Sequence, residues 1–248
     1  MVSDEFRGGK QKGGVGMAHF VKRALVPWLL LPVLAVSMSF SARADVAQGV
    51  DAFIEGNRIV AWRELLPAAT DGDATAQFYV GTMYRHGFST ERDAEEATFW
   101  MRKAAAQGHG RAKFVLGFDL IQREDFAAAA PQILDAARSG IAAAQYYAGR
   151  ILRDGSGVGQ DALQALGWLL LAAEQDYVPA QYEVALLLAN PPEDVTLDLI
   201  SAYRWFEIAA QAGYPAARES RDSVGSALSS QEVAEARAEA SNWIRSHR

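Results

Sequence analysis

Residues 161–213 read DALQALGWLLLAAEQDYVPAQYEVALLLANPPEDVTLDLISAYRWFEIAAQAG. The stretch holds one set of columns twice, 37 residues apart: Asp161 and Asp198, Ala165 and Ala202, Trp168 and Trp205, Ala172-Ala173 and Ala209-Ala210. Asp176 closes the first copy and Gly213 the second. Towards the N-terminus the acidic column continues through Asp125, Asp93 and Asn57, so that it advances from 57 to 93, 125, 161 and 198, in steps of 36, 32, 36 and 37 residues. Ala61, Ala97 and Ala129 stand four residues after those three, and Ala68-Ala69, Ala104-Ala105 and Ala136-Ala137 follow, closed by Gly72, Gly108 and Gly140. Self-similarity at this period marks an array of stacked two-helix units, each burying its apolar face on its neighbours.

Each unit reads as helix A, loop, helix B. Helix A carries Ala76-Gln77-Phe78, Ala112-Lys113-Phe114, Ala144-Gln145-Tyr146 and Ala180-Gln181-Tyr182, with Gly81, Gly117, Gly149 and Ala185 five residues after each first Ala. A mid-helix Gly costs about 1 kcal/mol relative to Ala. The compensation expected here is close approach of helix B, which brings its own Ala column to the contact. Asn57, Asp93, Asp125, Asp161 and Asp198 read as N-caps of helix B, where a carboxylate or amide oxygen accepts from orphan backbone N–H groups. Spread one per unit, they suit structure better than chemistry. Trp100, Trp168 and Trp205, with Phe99, Leu169 and Phe206 beside them, read as core between units. The unit built on Asp125 departs from the pattern. It has Gln132 at the Trp position and connects its helices in the few residues from Ile121 to Asp125. A deletion of about one turn, ~3.6 residues, keeps the same faces together.

The N-terminus has a different character. Lys22 and Arg23 precede an apolar run from Ala24 to Phe40, followed by Ala42-Arg43-Ala44, which gives a basic region, an apolar region and a small-x-small cleavage site. Residues 1–44 are therefore expected to be an extension plus signal peptide, starting at Met17 and cleaved after Ala44, and the protein is expected to be periplasmic or secreted. An uncleaved membrane tether is the alternative, although the run is short for a span and Pro27 and Pro32 interrupt it. The segment carries Arg7, Lys10, Lys12, Lys22, Arg23 and Arg43 against Asp4 and Glu5, so the net charge of −6 for the whole chain becomes −10 for residues 45–248. An acidic body disfavours nucleic acid as partner. With no Cys there is no disulfide framework, thiolate metal site or cysteine nucleophile.

The columns Asp-x-x-x-Ala, Trp, Ala-Ala-x-x-Gly and Ala-Gln-[Phe/Tyr]-x-x-Gly resemble the Sel1-like repeat, a relative of the tetratricopeptide repeat. The resemblance covers Val46 to Arg248. It implies an all-α fold, a right-handed α-α superhelical solenoid over 45–228, here closed by a capping helix over 229–248. Ser229 and Glu232 form a capping box for that helix and Trp243 faces inward. It also implies a scaffold that binds partner proteins, with no cofactor and no metal. A cysteine-rich branch linked to β-lactams is set aside, because this chain has no Cys.

In such arrays helix A lines the concave face, and the positions that vary between units point into the groove. These positions supply Tyr79, Arg85, Phe118, Tyr147, Arg150 and Arg153 as candidate partner-binding residues. Tyr and Arg dominate binding hot spots. The partner expected is a protein or peptide bearing carboxylates, such as an envelope sensor or assembly factor. The competing reading of the same arginines is pairing with nearby acids such as Glu91 or Asp154. An envelope-associated hydrolase is the alternative function. The sequence offers it little: His86, His109 and His247 are scattered, there is no Gly-x-Ser-x-Gly elbow, and Lys12-Gly13-Gly14-Val15-Gly16 lacks the Lys-Ser/Thr pair of a phosphate loop.

Overall fold

The computed structural model describes residues 46–247. The leader, its start at Met17 and its cleavage site lie outside the described residues. Within them the chain is helical, without strands. α1 covers residues 46–54. There follow α2 (Arg58–Thr70), α3 (Ala74–His86), α4 (Ala94–Ala106), α5 (Gly110–Gln122), α6 (Phe126–Arg138), α7 (Ala142–Asp154), α8 (Ala162–Ala173), α9 (Val178–Ala189), α10 (Leu199–Gln211), α11 (Ala217–Gly225) and α12 (Ser230–Ser246). Consecutive helices pack on one another from α2 to α11, and the tightest pairs are α3 with α4, α5 with α6, α7 with α8 and α9 with α10. Odd-numbered helices are thus the A helices and even-numbered ones the B helices of a solenoid. We call α1–α2 module 1 and number the pairs through α9–α10, module 5. α12 lies along α10.

The acidic column does cap the B helices. Asn57, Asp93, Asp125, Asp161 and Asp198 each accept from backbone N–H groups of the first turn, at Val60, Glu95 and Glu96, Ala128, Gln164 and Ser201. Each such cap contributes about 1 kcal/mol. Ser229 and Glu232 close their reciprocal box at the start of α12. Asp176, standing where other modules have Gly, adopts the left-handed conformation at φ 61°, which a short polar side chain tolerates. Asn190 ends α9 just before Pro191-Pro192.

The small-residue columns meet face to face. Ala61, Ala129, Ala165 and Ala202 are fully buried and Ala97 nearly so. A Cβ on Gly149 would lie 3.0 Å from the Ala165 carbonyl oxygen and 2.5 Å from Leu169 Cγ, and one on Gly81 would lie 3.1 Å from the Ala97 oxygen. Only glycine leaves room for the B helix backbone there. The tryptophans fill the seams between modules. Trp100 packs among Ala76, Val80 and Leu65, Trp168 among Ala130, Ile133 and Ile151, and Trp205 beside Leu169 and, at 5.7 Å, Trp243 of α12. Phe99 does not join them. It is 48 % exposed with Lys103 lying over its ring. Leu169 and Phe206 follow their tryptophans, so their counterpart is the buried Met101. Phe99 precedes Trp100, and one step back on a helix turns a side chain by about 100°, away from the seam.

A second device links the modules. Gln77, Gln145 and Gln181 are nearly fully buried. Each donates its amide to a carbonyl near the end of the preceding B helix, at Ala69, Ala137 and Ala173. Gln107 and Gln175 donate in turn to the side-chain oxygens of Gln77 and Gln145 at 2.8 and 2.6 Å.

Candidate functional site

The A helices carry one side-chain strip that crosses α3, α5, α7 and α9, and it contains most of the residues singled out in the sequence. At one end Arg85 of α3 reaches α5 and grips Asp119 with both terminal nitrogens, at 2.7 and 2.6 Å. Such a planar two-point grip is specific to guanidinium and carboxylate, and the bond to Asp119 raises the Arg85 pKa further. In the middle, Phe118 meets the Tyr147 ring edge-on with centroids 5.2 Å apart, while Phe114 packs 6.0 Å from both. Tyr146 and Tyr177 continue this aromatic cluster, and burial raises the pKa of both phenols. At the far end Arg153 of α7 bridges Asp154 on its own helix and Glu183 on α9. Its pKa is raised by the hydrogen bond to Asp154 first and by Glu183 as well.

Arg150 is held differently. It donates to the Tyr146 hydroxyl at 3.4 Å, lies over that ring, and keeps a buried Nε without a hydrogen-bond partner among the described residues. Tyr79 is 9 % exposed, packed between Phe53 at 4.9 Å and Phe78 at 5.2 Å, so only its rim reaches the surface. The structure thus joins Phe118, Tyr147, Arg150 and Arg153 in one half-buried strip, sets Arg85 at its edge, and seats Tyr79 in the core of modules 1 and 2.

Two members of the strip escape a reading by columns. Asp119 stands beside Phe118 and looks like an outward polar residue. Its role appears only once α3 and α5 lie side by side, 34 residues apart in sequence. Phe114 reads as a core aromatic but also packs on Tyr147. The pairing of Arg153 with Asp154 was legible as a neighbour contact, whereas that with Glu183 needs the stacking of α7 on α9.

Among the described residues no group of three or more His, Asp or Glu is close enough to hold a metal ion, and no helix is long and apolar enough to cross a membrane.

The sequence model of the Sel1 repeat matches residues 74–109, 142–177 and 178–214, so the chain carries Sel1 repeats. The matches cover modules 2, 4 and 5 and pass over module 3. Two solved structures share the fold. One is a protective antigen present in uropathogenic Escherichia coli strains displaying an SLR fold, 25% identical with a TM-score of 0.71, over 82% of this chain and 45% of that one. The other is a Sel1 repeat protein from Oxalobacter formigenes, 23% identical with a TM-score of 0.68, over 80% of this chain and 82% of that one. Among curated proteins, chitin synthase regulatory factor 3 of Schizosaccharomyces pombe (strain 972 / ATCC 24843) is 31% identical over 121 residues, which are 46% of this chain. The chain spans 13% of that protein's length and 45% of the antigen's.

Proposed function

We propose that this protein is a non-catalytic scaffold that binds a protein or peptide partner on the face built by its A helices. We also infer from the leader that it works in the periplasm or outside the cell, in envelope signalling or assembly. The observation that carries the binding reading is the strip across α5 and α7, where Phe118, Tyr147 and Arg150 stand half-buried together. Rigid aromatics beside an arginine are what hot spots are made of. The stacking and ion pairs that hold them fixed lower the ordering cost of binding. The description of the fission-yeast relative as a regulatory factor agrees with binding as the role.

Photo-crosslinking residues placed at positions 118 and 147 test this in the envelope fraction of the native host. The expected result is one crosslinked partner from both positions and little from position 163, an exposed site on α8. The pair Tyr147→Ala and Arg150→Glu should abolish its capture. Crosslinking from position 163 alone, or capture that survives both substitutions, overturns the reading. Arg153 is a poor probe, because a reversed charge there would repel Glu183 and Asp154 and disturb the fold as well.

A further inference from the structure

We infer that module 3 carries a second docking surface, where α5 meets α4 and α6, which takes an acidic peptide segment bearing an aromatic side chain. The inference rests on a different observation from the A-helix strip and shares only Asp119 with it. It starts from Gln132, which stands where other modules carry Trp.

In module 4 Trp168 packs against the cluster that holds Ala130, Ala148 and Ile151, with Leu134 against the same cluster. Shifting each position back by one module gives Thr98, Arg102, Leu116 and Asp119. These four, with Leu120, Arg123 and Gln132, line a cavity of about 190 Å³. The place that holds an indole in module 4 is therefore hollow in module 3, and four of its apolar positions have become polar together: Trp to Gln, Ala to Thr, Leu to Arg and Ile to Asp. A gap left by a lost aromatic would normally be closed by larger apolar neighbours, since voids forfeit packing. Here one wall position has grown, Ala148 to Leu116, but the others have become polar and the hollow persists.

The charge of the place selects the occupant. A more open cleft of about 610 Å³ shares Thr98, Arg102 and Arg123 and adds Phe99 and Lys103. Arg102, Lys103 and Arg123 are all exposed, and among the described residues neither Arg102 nor Arg123 makes an ion pair. The carboxylates lining the two hollows are Glu95 and Asp119, and Asp119 is engaged by Arg85. Three cations thus gather on a body whose net charge is −10. A flat apolar side chain fits the indole-sized hollow, and flanking carboxylates meet the arginines outside it.

Fluorescence anisotropy with the labelled peptide Glu-Asp-Trp-Glu-Asp tests this. We expect saturable binding, at least about tenfold weaker when Trp becomes Ala or when the acids become Lys. The double variant Arg102→Glu, Arg123→Glu, both on the surface, should weaken it by a similar factor. Gln132→Trp should fill the hollow, block the peptide and raise the unfolding temperature, while Tyr147→Ala leaves binding unchanged. No saturable binding at millimolar peptide overturns the inference. So does binding indifferent to the Arg102 and Arg123 changes, or displacement by an oligonucleotide as readily as by unlabelled peptide.

Discussion

Modules 3 and 4 are built on one plan and secured by different chemistry. α7 and α8 meet through Gly149 on Ala165, Trp168 plugs the seam to α6, and Gln145 and Gln175 stitch the helix ends. α5 and α6 keep the geometry and change the materials. Gly117 faces the buried Ile133 side chain instead of backbone, Gln132 replaces the indole, and Lys113 at the glutamine position reaches Asp135 at 2.9 Å. The Sel1 model matches module 4 and passes over module 3. The pair shows that a solenoid's architecture rests on a few small-residue contacts and N-caps. Seam filling and side-chain stitching are free to vary, and where they vary a module acquires surface chemistry its neighbours lack.

Four tests tell the two modules apart. The largest effect is expected from Trp168→Gln, which gives module 4 the hollow of module 3 without its adapted walls. The loss should be about 3–5 kcal/mol in urea unfolding. A loss below about 1 kcal/mol would mean that the indole is not what separates the two modules. Next comes Gly149→Ala. The added methyl meets the Ala165 carbonyl and Leu169, so it should destabilise by about 1–3 kcal/mol despite the better helix propensity of Ala. Gly117→Ala meets side chain rather than backbone, Ile133 Cδ1 and Cγ1 at 2.9 and 3.0 Å and Gln132 Cβ at 3.1 Å, and should cost less than Gly149→Ala. Third, Gln145→Ala removes the amide that bridges the Ala137 carbonyl and Gln175; the carbonyl keeps its bond from the Gly140 N–H, so the cost should be about 0.5–1.5 kcal/mol, read locally as faster amide exchange in α7. Lys113→Ala loses a half-exposed pair worth about 0–1 kcal/mol.

The smallest effect is a pH response confined to module 3. His109 caps α5 by accepting from the Ala112 N–H with Nδ1 and stacks on Phe78, whereas α7 has no side-chain cap. Burial, then Arg111, lowers the His109 pKa below its ordinary 6.5. The folded state therefore favours the neutral ring. This contribution is full above about pH 6.5 and is lost as pH falls through the lower folded value. His109→Asn, an uncharged cap, should flatten the decline in melting temperature between pH 7.5 and 5. A decline equal to the parent's would show that the cap does not titrate.

Much of this was legible in the sequence because a repeat exposes its own structure. The spacing of Asp93, Asp125, Asp161 and Asp198, with Gly and Ala at fixed distances, is dictated by which backbone groups need caps and where two helices must touch. The seat at Gln132 was legible only as a departure. That Thr98, Arg102 and Asp119 wall the same hollow follows from three different helices converging, and no single column displays it. Tyr79 and Phe99 escaped for a related reason. Spacing from a marker residue fixes an angle on one helix, while burial also depends on what the neighbouring helix presents: two phenylalanines for Tyr79, water for Phe99.

The amide stitching has a practical consequence. Carboxamides carry no charge and do not titrate, so the joints at Gln77, Gln145 and Gln181 should hold alike in fresh water and brine. The joint between modules 2 and 3 lacks that stitch, and beside the apolar contact of Met101 and Ala104 with Ala112 it is crossed by Arg85 gripping Asp119. Concentrated electrolyte should therefore loosen that articulation more than the joints whose amide stitches keep their grip.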